Sequence, residues 1–143
     1  MCTVLNNNSI LRQADKDVVS YKLVNKENGK YSSRYRKMPI ELGIVYHNPD
    51  FTNAFFKVFE QRYNSIKELN AGGFHSFVRL KDAKKVCMNR LGVVVVACII
   101  PQGSMYVKGT WDDENGPSCY FSEASIYREL TLLERLKLIF FKK

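Results

Sequence analysis

Gly92-Val-Val-Val-Val-Ala-Cys-Ile-Ile-Pro101 is the most apolar and most β-branched run in the chain. Val93 to Ile100 carries no charge and no hydroxyl. Such a run reads as a strand buried on both faces. Four consecutive valines argue against a buried helix, because their χ1 rotamers crowd the preceding turn of a helix and fit a pleated surface. The run is far shorter than the about 20 apolar residues a membrane helix requires. Pro101 donates no ladder hydrogen bond and ends the strand. Pro101-Gln-Gly103 then reads as a tight turn and Met105-Tyr-Val-Lys108 as a returning strand. The expectation is a hairpin, about 93–100 against 104–110, in the middle of a sheet.

Upstream, Asp17 to Val24 alternates, with Val19, Tyr21 and Leu23 on one face and Val18, Ser20, Lys22 and Val24 on the other. Asn28-Gly29 is the strongest hairpin signal in the sequence. It leads into a partner strand, Lys30 to Arg36. That strand places Tyr31, Ser33 and Tyr35 on one face and Lys30, Ser32, Arg34 and Arg36 on the other. Arg34 and Arg36 are then neighbours about 7 Å apart, a spacing suited to phosphate oxygens. Pro39 breaks the run, and Ile40 to Tyr46 reads as a third strand, with or without a glycine bulge. His47 falls in a turn. Phe51 to Leu69 has the period of a helix, Gly72-Gly73 is a flexible connection, and Phe74 to Arg79 is a short strand. Leu80 to Leu91 is an amphipathic helix whose stripe is Leu80, Ala83, Cys87 and Leu91, with Lys81, Lys84, Lys85 and Arg90 outward and Gly92 as its stop.

Downstream, Trp111 to Pro117 is an acidic loop without calcium-loop spacing. Ser118 to Ser122 and Ile126 to Leu130 read as strands. Thr131-Leu-Leu-Glu134 is a capping box, and it opens a last helix, Leu132 to Phe141, whose apolar end either docks on the sheet or forms an oligomer contact. Residues 1–16 are polar and read as a loose arm. The fold class expected is α+β in a single domain, 1–143, with a mostly antiparallel sheet of about six strands and two or three helices.

The chain of 143 residues carries a net charge of +8 and a pI near 9.4. The expected partners are therefore anionic: a nucleotide-type small molecule or an acidic protein, with nucleic acid as a variant. The cysteines, Cys2, Cys87, Cys98 and Cys119, form no C-x-x-C pair, and there are only two histidines, so no metal site and no cofactor is implied. No secretory pattern opens the sequence, which gives the expectation of a reducing cytoplasm and no membrane. Nucleotide-loop, zinc-protease and serine-hydrolase motifs are absent, and the reading is non-enzymatic.

Gly73-Phe-His-Ser-Phe77, a helix with Ala83, Cys98-Ile-Ile-Pro-Gln-Gly-Ser-Met-Tyr-Val-Lys-Gly109 and Ser122-x-x-Ser125-Ile126 together resemble a small uncharacterised protein family of gut-bacterial phages and their hosts. The resemblance runs from Val18 to Leu130. It implies a phage-associated protein, and for a basic one the expectation is sequestration of an immune second messenger of the host. In that role Lys30, Arg34 and Arg36 neutralise phosphates, Tyr35 and Trp111 stack on a base, and His75 or Ser76 donates hydrogen bonds. A homo-oligomer is expected. The alternative is a structural or interaction protein of a virion or host assembly, with Ile139-Phe140-Phe141 as the contact.

The order of parts is also similar to that of ADP-ribosyltransferases: an arginine strand, an aromatic–serine strand, a helix, a valine-rich strand ending Pro-x-Gly, and a late glutamate. That likeness implies Arg36 on an NAD phosphate, Ser76 as the structural serine and Glu123 as the catalytic acid. The chain departs from the family pattern in lacking Ser-Thr-Ser and any Glu-x-Glu around Glu123.

Overall fold

The computed structural model describes residues 3–5, 9–34, 37–59, 67–69, 72–87, 90–112 and 115–140. In chain order the elements are β1 (Thr3–Leu5), β2 (Arg12–Gln13), β3 (Val18–Glu27), β4 (Lys30–Ser33), β5 (Pro39–Ile40), β6 (Val45–His47), α1 (Phe51–Phe59), β7 (Lys67–Leu69), β8 (Phe74–Phe77), α2 (Leu80–Cys87), β9 (Val93–Ile100), β10 (Met105–Trp111), β11 (Ser118–Ser122), β12 (Ala124–Arg128) and α3 (Leu132–Phe140). The fold is α+β with antiparallel pairing. The sheet has 12 strands in the order β6-β12-β9-β3-β8-β11-β10-β1-β7, with β4 and β5 continuing from β3 and β2 attached to β10. About six strands were expected. The excess is made of β1, β2, β5, β6 and β7, each two or three residues long, too short to show a period of two.

The central run is a strand buried from both sides, as its composition requires. Val93, Val95, Ala97 and Ile99 pack toward α2 and α3. Val94, Val96 and Cys98 pack with Val24, Tyr127, Tyr31, Ile40 and Tyr46. The expected hairpin with residues 104–110 does not form. Instead β9 pairs along its whole length with β3, from Val18↔Ile100 to Asn25↔Val93, and on its other edge with β12. The cause lies in the turn. Gln102 N–H donates to Asp17 Oδ1 (2.8 Å), Gly103 N–H donates to the Ala14 carbonyl (2.8 Å), and Ala14 N–H donates to the Ser104 carbonyl (2.9 Å). The segment ahead of β3 thus captures the turn and sends β10 to the far half of the sheet, where it pairs with β11, β1 and β2.

Two halves result. One holds β6, β12, β9, β3, β4 and β5, and the other holds β8, β11, β10, β1, β7 and β2. They join through one backbone pair, Tyr21↔Phe77, and through the corner at Glu123 between β11 and β12. The second half has its own core of Leu5, Phe51, Phe55, Val107 and Phe121, with the rings of Phe51 and Phe121 stacked at 5.3 Å.

Thr3, Val4 and Leu5, read from sequence as part of a loose arm, are buried in a strand between β10 and β7. Gly109 permits that insertion, since a Cβ there would stand 2.8 Å from Thr3 Cγ2 and against the Val4 carbonyl. The Asn28-Gly29 turn forms as expected, both residues having positive φ (52° and 75°), with Glu27 opposite Lys30. The strand after it is shorter than expected and stops at Ser33, where Ser33 N–H bonds the Met38 carbonyl (2.9 Å). Residues 40–46 form no continuous strand, because Gly43 turns the chain at φ 81° between β5 and β6. The first helix ends at Phe59, and 67–69 is strand rather than helix. Leu91, expected in the α2 stripe, stands in the turn before β9 and is fully exposed.

Candidate functional site

The residues proposed from sequence fall in two places. Lys30 opens β4 and Arg34 directly follows it. Lys30 is exposed, and Arg34, half-buried in a turn rather than on a strand face, donates from Nη1 to Asn25 Oδ1 (3.0 Å). Tyr35 and Arg36 lie outside the described residues. The expected pairing of Arg34 with Arg36 on one strand face loses its basis, because β4 ends at Ser33.

Other cations gather at the β3–β4 hairpin, held by main-chain geometry. Lys26 N–H donates to the Gly92 carbonyl (2.8 Å), and Val93 N–H donates to the Arg90 carbonyl (3.2 Å), so the turn carrying Arg90 lies against the hairpin. The ammonium of Lys26 stands 5.3 Å from the centre of the Tyr31 ring. Lys26, Lys30 and Arg90 are exposed, and among the described residues of the hairpin the acid beside them is Glu27. The register sets Lys30 across from Glu27 and Lys26 across from Tyr31, so the two lysines leave opposite faces of the hairpin and with Arg90 set a positive potential around it.

His75, Ser76 and Trp111 sit elsewhere, and the fold does bring them together. The edge of β3 opposite β9 pairs with β8 at Tyr21 and with β4 from Val24 onward. At this fork lies a cavity of about 10 Å³ lined by Lys22, Leu23, His75, Ser76, Phe77, Trp111 and Cys119. That is room for about one water and excludes a nucleobase. Trp111 does not present a stacking face there. It packs edge-on against Phe77 (5.4 Å), and its Nε1 is buried with no hydrogen-bond partner among the described residues.

The polar groups around the fork are largely committed to one another. His75 Nδ1 and Thr3 Oγ1 are 2.7 Å apart, and the Cys119 thiol lies 3.4 Å from the same hydroxyl. Ser20 Oγ is 2.6 Å from the Cys98 carbonyl and 2.8 Å from Ser76 Oγ. A hydroxyl carries one proton, so Ser20 gives it to the carbonyl and Ser76 bridges as donor. Lys22 Nζ donates to the His75 carbonyl (2.8 Å).

Burial lowers the Lys22 ammonium below its ordinary pKa, the Cys98 thiol nearby acting in the opposite direction. Burial raises the Cys98 thiol against the pull of Lys22 and the surrounding serine hydroxyls. A buried thiol held protonated is a packing group rather than a nucleophile. Burial also raises Tyr127, which packs beside Cys98.

Glu123, the acid implied by the ADP-ribosyltransferase likeness, is occupied at the corner between the halves. Its Oε1 accepts from Met105 N–H (2.7 Å), and its Oε2 stands 3.4 Å from His47 Nε2. No protein-family model matches the chain, and no curated protein or solved structure is significantly similar to it. Among the described residues no cluster of three or more His, Cys, Asp or Glu side chains could hold a metal ion, and no helix is long and apolar enough to cross a membrane.

Sequence reasoning missed Lys22, Ser20 and Thr3 at the fork and Lys26 and Arg90 at the basic end. The alternation of β3 held a clue, since its Ser20–Lys22 positions share a face with Val18 and Val24. A lysine between apolar neighbours on one strand face is a buried cation unless that face is open to water.

Proposed function

We propose that the chain is a non-enzymatic binding protein that takes a phosphate-bearing ligand, of nucleotide or nucleic-acid type, on the open basic end formed by Lys26, Lys30, Arg34 and Arg90. The observation that carries this reading is the Lys26–Gly92 backbone bond, which fastens the turn carrying the exposed Arg90 to the hairpin carrying the exposed Lys26 and Lys30. The small size of the cavity at the fork supports a surface site over an enclosed one. Arg34 offers the planar donors suited to a phosphate, and Lys26 and Lys30 act as point charges. The narrower role, sequestering an immune second messenger, rests on the resemblance to phage proteins.

The test is titration of the full chain with cyclic oligonucleotides, ADP-ribose derivatives and a short single-stranded oligonucleotide, followed by calorimetry or anisotropy at several salt concentrations. The expected result is binding by one ligand class that weakens as salt rises and falls about tenfold or more in Lys30→Glu/Arg34→Glu, with unchanged circular dichroism. No binding by the wild-type chain, or equal binding by the double variant, overturns the reading. A second reading, an interaction protein of a larger assembly, is favoured by the outward apolar face of α3.

A further inference from the structure

Helix α3 lies on the sheet with its apolar side turned away from it. Leu132, Leu133, Leu136, Ile139 and Phe140 are 75, 64, 44, 57 and 82% exposed, whereas Glu134 is 9% exposed. At about 100° per residue the five apolar side chains span an arc of roughly 120° centred on Leu136. Glu134 and the partly buried Leu138 occupy the opposite side.

Polar bonds fix this rotation. Glu134 Oε1 accepts from Arg128 Nη1 (2.8 Å) and Thr131 N–H (2.8 Å), Oε2 accepts from the Tyr21 hydroxyl (2.8 Å), and Glu134 N–H donates to Thr131 Oγ1 (3.2 Å). Lys84 of α2 donates to the Leu138 carbonyl. Rolling the helix to bury its leucines breaks these bonds and strands the carboxylate.

We propose that this face is an interface between two copies of this chain, with the two α3 helices antiparallel about a two-fold axis at Leu136. The spacing of the stripe argues for a second copy. Reversed about Leu136, the pattern maps onto itself, since Leu132 exchanges with Phe140, Leu133 with Ile139, and Leu136 with its own equivalent. An isologous interface requires one patch to complement itself, and an unrelated partner imposes no such condition. At each level of the pair the facing side chains lie on opposite sides of the seam, so they interleave.

The area argues the same way. The five side chains, 44 to 82% exposed, form an apolar face on the order of a few hundred Å², among the largest a soluble monomer leaves bare and a substantial part of the about 800 Å² per partner in a stable interface. On one shoulder Arg135 is neutralised by Glu129 (3.2 Å). On the other, the two-fold brings Lys137 beside its own copy, so pairing strengthens as salt rises, opposite to the trend for a phosphate ligand. The inference stands on α3 alone and is independent of the ligand.

The experiment is sedimentation velocity on the full chain, from micromolar to hundreds of micromolar, at low and high salt. The expected result is a monomer–dimer equilibrium favoured by salt. Leu136→Asp sets two like charges against each other on the axis and weakens it about tenfold or more, with unchanged circular dichroism. Under mild oxidation Leu136→Cys gives a disulfide-linked dimer, while Leu132→Cys, which faces Phe140 of the other copy, does not link to itself.

A monomer at every concentration overturns the proposal. So does a dimer indifferent to Leu136→Asp, or a monomer that instead sediments with anionic lipid vesicles through α3.

Discussion

Helices α2 and α3 cover the same face of the sheet, contribute to one shared core cluster, and are each amphipathic, yet they are turned in opposite senses. α2 buries Leu80, Ala83 and Cys87 and leaves Lys81 and Lys85 exposed. α3 buries a glutamate and exposes its leucines. An apolar period therefore tells which side chains share a face and does not tell where that face points. In α2 hydrophobic burial decides. In α3 the decision falls to a carboxylate whose charge-assisted bonds hold the polar side of the helix against the sheet.

The largest effect that separates the two comes from placing the same charge on each. Ala83→Asp in α2 puts an unpaired carboxylate among Leu23, Phe77 and Cys87, with an expected loss of about 3–5 kcal/mol in urea unfolding. A loss below about 1 kcal/mol breaks the contrast from the α2 side.

Next is the anchor itself. Burial alone would raise the Glu134 carboxyl, but the bonds from Arg128, Thr131 and Tyr21 prevail and hold it down, from 4.5 to about 2. A carboxyl lowered in the folded state contributes stability above its unfolded pKa and loses it as pH falls through the folded value. The window is therefore between pH 4.5 and about 2, and the contribution at neutral pH is about 3 kcal/mol. Glu134→Gln is expected to lose that amount at pH 7 and to converge with the wild-type chain near the acid end of the window. Parallel stability curves for the two proteins refute the anchoring role.

Tyr21→Phe removes one bond to the same carboxylate and is expected to cost about 1 kcal/mol. In the wild-type chain the phenol itself titrates at about 12, raised by burial and then by Glu134. Smallest is Leu133→Asp in α3, expected to change the unfolding free energy of the isolated monomer by no more than about 0.5 kcal/mol. A loss comparable to that of Ala83→Asp would mean that the α3 stripe packs on its own chain.

The elements legible in the sequence were those whose instructions are local. Asn28-Gly29 specified a turn that only left-handed residues make, Thr131 and Glu134 specified a helix start, and the valine run specified burial on both faces of β9. Partner choice was not legible, because β9 and β10 are both acceptable strands and the turn between them is settled by Asp17 and Ala14, far away in sequence. At the candidate site, the sequence reading joined His75, Ser76 and Trp111 with Lys30, Arg34, Tyr35 and Arg36, whereas the fold gathers the first three around one point apart from Lys30 and Arg34. The size of that point depends on β8 parting from β4 along β3, which no short window of residues encodes. Arg34 was placed on a strand read as far as Arg36, whereas β4 ends at Ser33, since the Ser33–Met38 backbone bond that ends it leaves no mark on periodicity.

The pairing of β3 with β9 also sets a timetable. Val18 meets Ile100 and Asn25 meets Val93, so the longest strand waits for a partner about half the chain away. During synthesis the β3–β4 hairpin emerges early with its other edge bare, and nothing made in the next sixty or so residues covers that edge along its length. Folding that depends on such distant closures is slow. The charges that crowd the hairpin, Lys22, Lys26 and Lys30, then act as gatekeepers against wrong pairing during the wait.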